Sequence, residues 1–313
     1  MISIVIPLYN ERDSLTELHS EIGSVAKSQT LEIELIFVDD GSTDGSWSAI
    51  QGLCSHDGRV HGLRLRRNFG KSAALAAGFR KASGDVAITI DADLQDDPRE
   101  IPGLIEQLNA GLDVVAGWKK VRHDPWHKVL ASRVFNSLVS FSTGVRLHDH
   151  NCGLKCYRAE VLRDIRLYGE LHRFIPVLAA ARGFRVGERP VNHRPRKFGQ
   201  SKFGAGRFLT GLLDLMTVKF LTSFGRRPQH LLGSFGLLSF LFGAGALTYL
   251  GITWIIRLWV PEMFSPIHER ALPVYAVAAL LFGTQLLSIG FLAELMTAHI
   301  TRDIDTYSIA EEV

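Results

Sequence analysis

Three cysteines in 313 residues exclude a disulfide framework, and Cys152 and Cys156 lie four apart without the second pair that a zinc site would need. A reduced, cytoplasm-facing catalytic region is the expectation. Charge is nearly balanced, with 35 Lys and Arg against 32 Asp and Glu, and the net +3 does not call for a nucleic-acid partner. No Gly-x-Gly-x-x-Gly follows the first apolar run, which counts against a dinucleotide fold. A strand-like run, Ile2-Ser3-Ile4-Val5-Ile6, starts at once, so no signal peptide is expected. The most telling shortage is in the last third. No Lys, Arg, Asp or Glu occurs between Arg227 and Arg257, or between Arg270 and Glu294. Each gap exceeds the roughly 20 apolar residues that cross a bilayer as a helix. Two membrane spans are expected, Leu231 to Ile256 and Leu272 to Ala293.

The first 117 residues alternate two patterns. Strand-like runs are Ile2 to Pro7, Leu31 to Val38, Val60 to Leu65, Val86 to Ile90 and Asp113 to Ala116. Helix-like segments lie between them: Glu11 to Lys27, Thr43 to Leu53, Lys71 to Lys81 and Glu100 to Asn109. This alternation predicts an α/β fold, a mostly parallel sheet with helices on both faces.

Polar clusters sit where these strands end. Asp91-Ala92-Asp93-Leu94-Gln95-Asp96-Asp97-Pro98 follows a β-branched run, and Pro98 can open a helix. Several oxygen ligands thus leave one strand end together, the set that Mg²⁺ shares with substrate phosphates. An acidic turn capping a helix would have the same composition. Pro7 to Glu11 and Asp39 to Asp44 form two further clusters. In a parallel sheet all three fall on one edge. Their carboxylates suit hydrogen bonds to a base or ribose, and Tyr9 could stack on the base. Asn68-Phe69-Gly70-Lys71-Ser72 adds a cation and a helix N-terminus, either of which favours phosphate. Together the clusters read as a nucleotide-sugar site.

Pro7-x-Tyr9-Asn10-Glu11, Asp39-Asp40-Gly41-Ser42-x-Asp44, Asn68-x-Gly70-Lys71 and Asp91-x-Asp93-x-Gln95 resemble the inverting family 2 glycosyltransferases of GT-A fold. Later elements narrow the resemblance to the polyprenyl-phosphate sugar transferases, the group containing dolichol-phosphate mannose synthase. The resemblance implies that Asp91, Asp93 and Gln95 hold Mg²⁺ or Mn²⁺ and the donor diphosphate. It places Pro7, Tyr9, Glu11, Asp39, Asp40 and Lys71 around the nucleotide. Asp149 to Tyr157 resembles the acceptor-loop motif, with Asp149 as a base or an orienter. Arg194 to Lys202 is similar to the Arg-x-x-Gly-x-Ser-Lys loop that closes over the phosphates, with Arg196 and Lys202 neutralising the leaving group.

Cations and apolar residues then alternate in ways that suit a lipid acceptor. Lys119, Arg122 and Arg133, with Ser201, are the expected grip on the acceptor phosphate. Trp126, Leu130, Val134, Leu138 and Phe141 recur at helical spacing beside them, as in a helix that lies on a membrane surface. Phe208, Leu209, Leu212, Leu213, Met216 and Phe220 make a second such stripe. The expected organisation is a catalytic domain over residues 1–203, interfacial helices over 204–228 and a two-span region over 229–313. The expected reaction moves a hexose from a nucleotide diphosphate to a polyprenyl phosphate such as undecaprenyl phosphate. It belongs at the cytoplasmic face of the inner membrane, in the building of cell-envelope glycans. UDP-glucose is the first choice of donor, with GDP-mannose or a UDP-amino-sugar as alternatives. The chain lacks the Gln-x-x-Arg-Trp motif of processive synthases. A non-catalytic nucleotide- or lipid-binding membrane subunit is the rival of a different class. The partners expected are donor, lipid acceptor and bilayer, with no nucleic acid; a second copy of the chain is left open.

Overall fold

The computed structural model describes residues 1–121, 126–195, 197–198, 207–223, 228–263 and 265–300. The chain divides into two compact units, one holding residues 1–219 and another that begins at Phe220.

The first unit is built on a sheet of seven strands. They are β1 (Ile2–Leu8), β2 (Ile33–Asp39), β3 (Val60–Arg64), β4 (Val86–Thr89), β5 (Val114–Lys119), β6 (Lys155–Arg158) and β7 (Val186–Val191). Their order is β3-β2-β1-β4-β6-β5-β7. β1 pairs in parallel with β2 and β4, and β5 with β7, whereas β6 is inserted antiparallel between β4 and β5. The five expected strands are present within three residues of their predicted ends.

Strand alternation sorts the core. Ile2, Ile4, Ile6 and Leu8 face α1 (Arg12–Ser28), whose Leu15, Leu18 and Ile22 are buried against them. α2 (Ser46–His56) and α4 (Ile101–Asn109) complete that layer with Ile50, Leu104 and Leu108. Val5, Ile36 and Val38 face the other way, onto Ala74 and Leu75 of α3 (Lys71–Lys81). A Cβ on Gly78 would lie 2.3 Å from Val5 Cγ1, so this glycine sets how close α3 comes to the sheet. On the same side, Tyr157 and Val114 pack on Val161 of α6 (Ala159–Asp164) and on Ile175 and Ala179 of α7 (Ile175–Ala181). The sheet is therefore covered on both faces, as the strand-helix alternation predicts.

Two helices of this unit keep apolar residues outside. In α5 (Trp126–Thr143), Val139 is fully buried but Leu130, Val134, Leu138 and Phe141 are exposed, Phe141 by 91%. In α8 (Arg207–Ser223), Leu215 and Val218 join Val139, Phe174 and Val177 in a small core. Leu212, Leu213 and Met216 of that helix face outward. The expected apolar stripes are thus real, and they are not the faces that dock.

The second unit contains two long apolar helices, α9 (Pro228–Trp259) and α10 (Leu272–Ile300). Thirty-two residues make α9 about 48 Å long at the usual helical rise, more than the hydrocarbon core of a bilayer needs. The helices touch through glycine. A Cβ on Gly243 would lie 2.6 Å from Leu280 N, and one on Gly283 would lie 2.4 Å from Phe240 N. Close backbone approach at small residues is how membrane helices pack without a hydrophobic driving force.

Candidate active site

The strand order turns back on either side of β1, and ligands of open α/β sheets bind where neighbouring connections diverge in this way. The loops after β1, β2 and β4 meet there. Asn10, in a left-handed conformation with φ of 53°, donates its N–H to Ser42 Oγ at 2.8 Å and accepts from Thr43 N at 2.8 Å. Glu11 N donates to Ser46 Oγ at 3.1 Å and Arg12 N to Asp44 Oδ2 at 3.1 Å. These bonds join the loop carrying Tyr9 and Glu11 to the loop carrying Asp39, making one wall.

The two adjacent aspartates of that wall behave differently. Asp39 is fully buried and accepts Ser42 N on Oδ1 at 2.8 Å. Its Oδ2 has no hydrogen bond among the described residues and lies 3.6 Å from the Arg64 guanidinium. Asp40 accepts Phe69 N on Oδ1 at 2.7 Å and Gly70 N on Oδ2 at 2.9 Å. Burial raises its carboxyl above the ordinary range in spite of those two donors. Both Asp40 oxygens hold the 68–70 loop, one backbone N–H on each. Gly41 lets that loop approach, since a Cβ there would lie 2.5 Å from the Arg67 carbonyl carbon.

The 68–70 loop delivers the N-terminus of α3. Lys71 Nζ pairs with Asp91 Oδ1, and Ser72 Oγ lies 3.0 Å from His172 Nδ1. Burial works to raise Asp91, but Lys71 and Lys119 hold it at about 2. Burial and the neighbouring Lys71 push His172 well below its ordinary value, so it is neutral. A Cβ on Gly153 would lie 2.5 Å from the Asp91 carboxyl, so the glycine of the Asn-Cys-Gly-Leu-Lys run is what admits this side chain.

Past Asp91 the chain turns sharply, with Leu94 at φ 61°. Asp93 Oδ1 accepts Gln95 N at 3.1 Å, and Gln95 O accepts Arg194 N at 2.8 Å. Two carboxylates, Asp91 and Asp93, and the amide oxygen of Gln95, whose Nε2 lies 3.5 Å from Arg194 O, are donors of the chemistry that suits a hard divalent ion. Among the described residues no three His, Cys, Asp or Glu side chains converge as a cage. A metal here would therefore take one or two carboxylates and draw its remaining ligands from substrate phosphate and water.

Asp96 and Lys119 form a further ion pair. Lys119, expected to reach the acceptor phosphate, is 16% exposed and lies 2.9 Å from Asp96 Oδ1. Burial opposes its charge, yet Asp96 holds it above the ordinary lysine value. Lys119 is the last residue of β5, and Asp91 also acts on it electrostatically.

The acceptor-side loop is held from α5. Asn136 Nδ2 donates to His148 O at 2.9 Å, and His150 N donates to Asn136 Oδ1 at 3.4 Å. Ser140 Oγ donates to Leu147 O at 3.1 Å and lies 3.0 Å from His150 Nε2. Asp149, 1% exposed, sits between the two residues that Asn136 grips, and it accepts Asn151 N at 3.1 Å. Arg133 is exposed on the same helix. Beyond β7, Arg194 binds Glu21 at 2.8 Å and Asp97 at 2.6 Å, fixing the start of the basic segment. Arg122, Arg196, Ser201 and Lys202 lie outside the described residues.

Sequence reasoning missed Lys155. It opens β6, is 4% exposed, and burial pulls its ammonium down to about 8. Asp149, Asp91, Lys71 and Cys152 surround it electrostatically.

The glycosyl transferase family 2 model matches residues 3–166, and the chain belongs to that family. It is 36% identical over 312 residues to the dodecaprenyl-phosphate galacturonate synthase of Rhizobium johnstonii, covering 96% of this chain and 89% of that protein. It is also 36% identical over 295 residues to the undecaprenyl-phosphate 4-deoxy-4-formamido-L-arabinose transferase of Edwardsiella ictaluri, covering 94% and 87%. Among solved structures, mannosyl-3-phosphoglycerate synthase from Rubrobacter xylanophilus superposes with a TM-score of 0.56 at 15% identity, over 70% of this chain and 74% of that one. Glucosyl-3-phosphoglycerate synthase from Mycobacterium tuberculosis, in complex with Mn²⁺, UDP-glucose and phosphoglyceric acid, gives 0.54 at 18%, over 70% and 79%. These two share the fold.

Proposed function

We propose that this chain transfers a sugar from a nucleoside diphosphate to the phosphate of a polyprenyl phosphate, at the cytoplasmic face of the inner membrane. The observation that carries the reading is the joining of a strand-end donor cleft to two helices long and apolar enough to cross a membrane. The full-length likeness to two enzymes named for polyprenyl-phosphate acceptors supports it.

In this reading an acceptor phosphate oxygen attacks the anomeric carbon from the face opposite the diphosphate. One carbon–oxygen bond forms while the other breaks, the nucleoside diphosphate leaves with the electron pair, and the configuration inverts. The nucleophile is already ionised at neutral pH, so the protein's work is positioning and charge neutralisation more than proton removal. Asp39 Oδ2 is the acceptor offered to the nucleoside. Lys71, at the start of α3, and Asp93 flank the diphosphate. Asp149, fixed by Asn136 and Ser140, orients the acceptor phosphate. A divalent cation, Mg²⁺ or Mn²⁺, bound at Asp91, Asp93 and Gln95 would neutralise the leaving diphosphate. Outside the described residues, Arg196 and Lys202 are assigned the same task, and Arg122 and Ser201 the acceptor phosphate.

UDP-glucose is the donor suggested by the sequence, whereas the two relatives are named for galacturonate and for 4-deoxy-4-formamido-L-arabinose. The deciding experiment offers the purified protein a short polyprenyl phosphate and a panel of UDP- and GDP-sugars, and weighs the lipid product. Transfer from no donor in the panel would refute the reading.

A further inference from the structure

β6 brings a lysine into the middle of the sheet. Lys155 stands opposite Thr89 of β4 and Ala116 of β5, so it enters the sheet two residues before Asp91 on the neighbouring strand. Side chains alternate along a strand. Leu154 and Cys156 join the core on the α1 and α4 side, whereas Tyr157 packs with Phe79 of α3 and Ile175 of α7. Lys155 shares the face of Tyr157. That is the face on which α3 brings in Lys71 and Ser72 and on which His172 lies.

The groups around Lys155 leave its ammonium without a hydrogen bond or close ion pair among the described residues. Asp91 is taken by Lys71. Cys152 is a neutral thiol, because burial pushes it up to about 12. His172 is neutral and bonded to Ser72. Among the described residues no hydrogen bond or ion pair involves the Lys155 ammonium, although the residue is only 4% exposed. A buried ammonium without a partner is costly, and chains keep such groups where a ligand or another charge completes them. The remaining charge in range is Asp149, on the acceptor side of the same cleft.

We propose that Lys155 is a phosphate-binding residue of the reaction centre, whose ammonium donates hydrogen bonds to phosphoryl oxygens arriving between Asp91 and Asp149. The inference rests on the proposed sugar transfer, which brings two phosphate sources to this place: the donor diphosphate and the lipid phosphate. Lys155 approaches from below the cleft, on a strand and not on a loop, so it fixes the depth at which a phosphoryl group comes to rest.

The test uses the full chain in detergent, as wild type, Lys155→Met, Lys155→Gln and Lys155→Arg. Melting is followed without ligand, with UDP or GDP, and with a short polyprenyl phosphate, and KM and kcat are measured for both substrates. Lys155→Met should melt no lower than wild type without ligand, since it removes a buried charge that has no partner. It should lose about tenfold or more in affinity for a phosphate ligand, the usual worth of a charge-assisted hydrogen bond, and Lys155→Arg should recover part of it. Loss for the nucleotide alone assigns the donor diphosphate, and loss for the polyprenyl phosphate alone assigns the acceptor. Lys155→Met or Lys155→Gln that binds and turns over both substrates like wild type would overturn the inference. So would a lower ligand-free melting point with unchanged affinities, or failure of both variants to fold, because the lysine would then be structural. Wild type that binds neither substrate would instead refute the sugar-transfer reading, and this inference with it.

Discussion

In the sheet unit, Ile4, Val5, Ile36 and Phe37 are at most 1% exposed, whereas Leu238, Phe242, Val274 and Leu281 of α9 and α10 are each more than half exposed. The residue types are the same and the placement is reversed. A water-facing unit hides its apolar groups and joins its loops by hydrogen bonds to Ser42, Ser46, Asp40 and Asn136. The helical unit hides little apolar surface, and its two helices meet through Gly236, Gly243 and Gly283. Lipid is the solvent in which that arrangement is stable. α5 and α8 combine both habits, with one face buried in the sheet unit and the other apolar and exposed. The chemistry is assigned to the first habit and the supply of acceptor to the second.

The largest effect should come from a change confined to the sheet unit. Asp93→Asn removes a charge at the Asp91 turn without changing shape, and turnover should fall about a thousandfold, the scale of losing a preorganised electrostatic group. Circular dichroism and melting should match wild type. Near-normal turnover would take the chemistry away from this turn. The next largest should come from removing the helical unit. A chain ending near Gly225 should lose about ten- to a hundredfold on a long polyprenyl phosphate, because anchoring supplies effective concentration, and about twofold or less on a short soluble acceptor. Equal losses on both would mean that the helices help to build the site, and the division of labour would be wrong.

The sequence shows this division unevenly. The spacing does not show β7, which pairs in parallel with β5. Strands β1 to β5 are legible because β-branched runs stand out between amphipathic helices, and the two spans because charge is missing from them. β6 is not, since Lys155-Cys156-Tyr157-Arg158 is four residues long, carries two cations and owes its place to pairing with β4 and β5. Its buried lysine reads as surface until the sheet is known. Asp39 and Asp40 look equivalent side by side, yet one keeps an oxygen without a hydrogen bond and the other accepts a backbone N–H of the 68–70 loop on each oxygen. Lys119 reads as one of the cations facing the acceptor phosphate, and only the fold brings Asp96 within 2.9 Å of it. Tertiary pairing decided each of these cases, and local spacing does not encode it.

A smaller effect should separate the units by pH. Asp97 is 2% exposed and is held by Arg99, Asn192 and Arg194. Burial works to raise it, but those partners lower it from 3.8 to about 2. A carboxyl lowered by folding stabilises the protein above its unfolded value, and that stability is lost as pH falls from 3.8 through 2. Asp97→Asn should therefore melt lower than wild type at pH 7, by the equivalent of about 1–2 kcal/mol, and should show a flatter decline between pH 4 and 2. The loss belongs to the sheet unit, so the helical content of α9 and α10 should survive the acid transition. A wild-type curve as flat as the variant's would remove Asp97 as the anchor of Arg194.

The smallest effect should appear within one helix. Val139 and Phe141 lie two residues apart on α5, the first fully buried and the second 91% exposed. Val139 packs with Phe174, Leu215 and Val218, so Val139→Ser leaves a small cavity holding a hydroxyl and should cost about 2 kcal/mol of stability. Phe141 meets nothing comparable, and Phe141→Ser should leave melting in detergent within about 0.5 kcal/mol of wild type. If α5 lies on the bilayer, Phe141→Ser instead removes an apolar group from the lipid side. A single interfacial side chain contributes little once two helices already anchor the chain, so KM for a long polyprenyl phosphate should rise only about two- to threefold. KM for a short soluble acceptor should not change. The informative quantity is the crossing of the two variants: Val139→Ser should lower stability with little preference between acceptors, and Phe141→Ser should do the reverse. If Phe141→Ser destabilised the protein in detergent as much as Val139→Ser, the outer face of α5 would be packed against protein, and this helix would belong wholly to the water-facing habit.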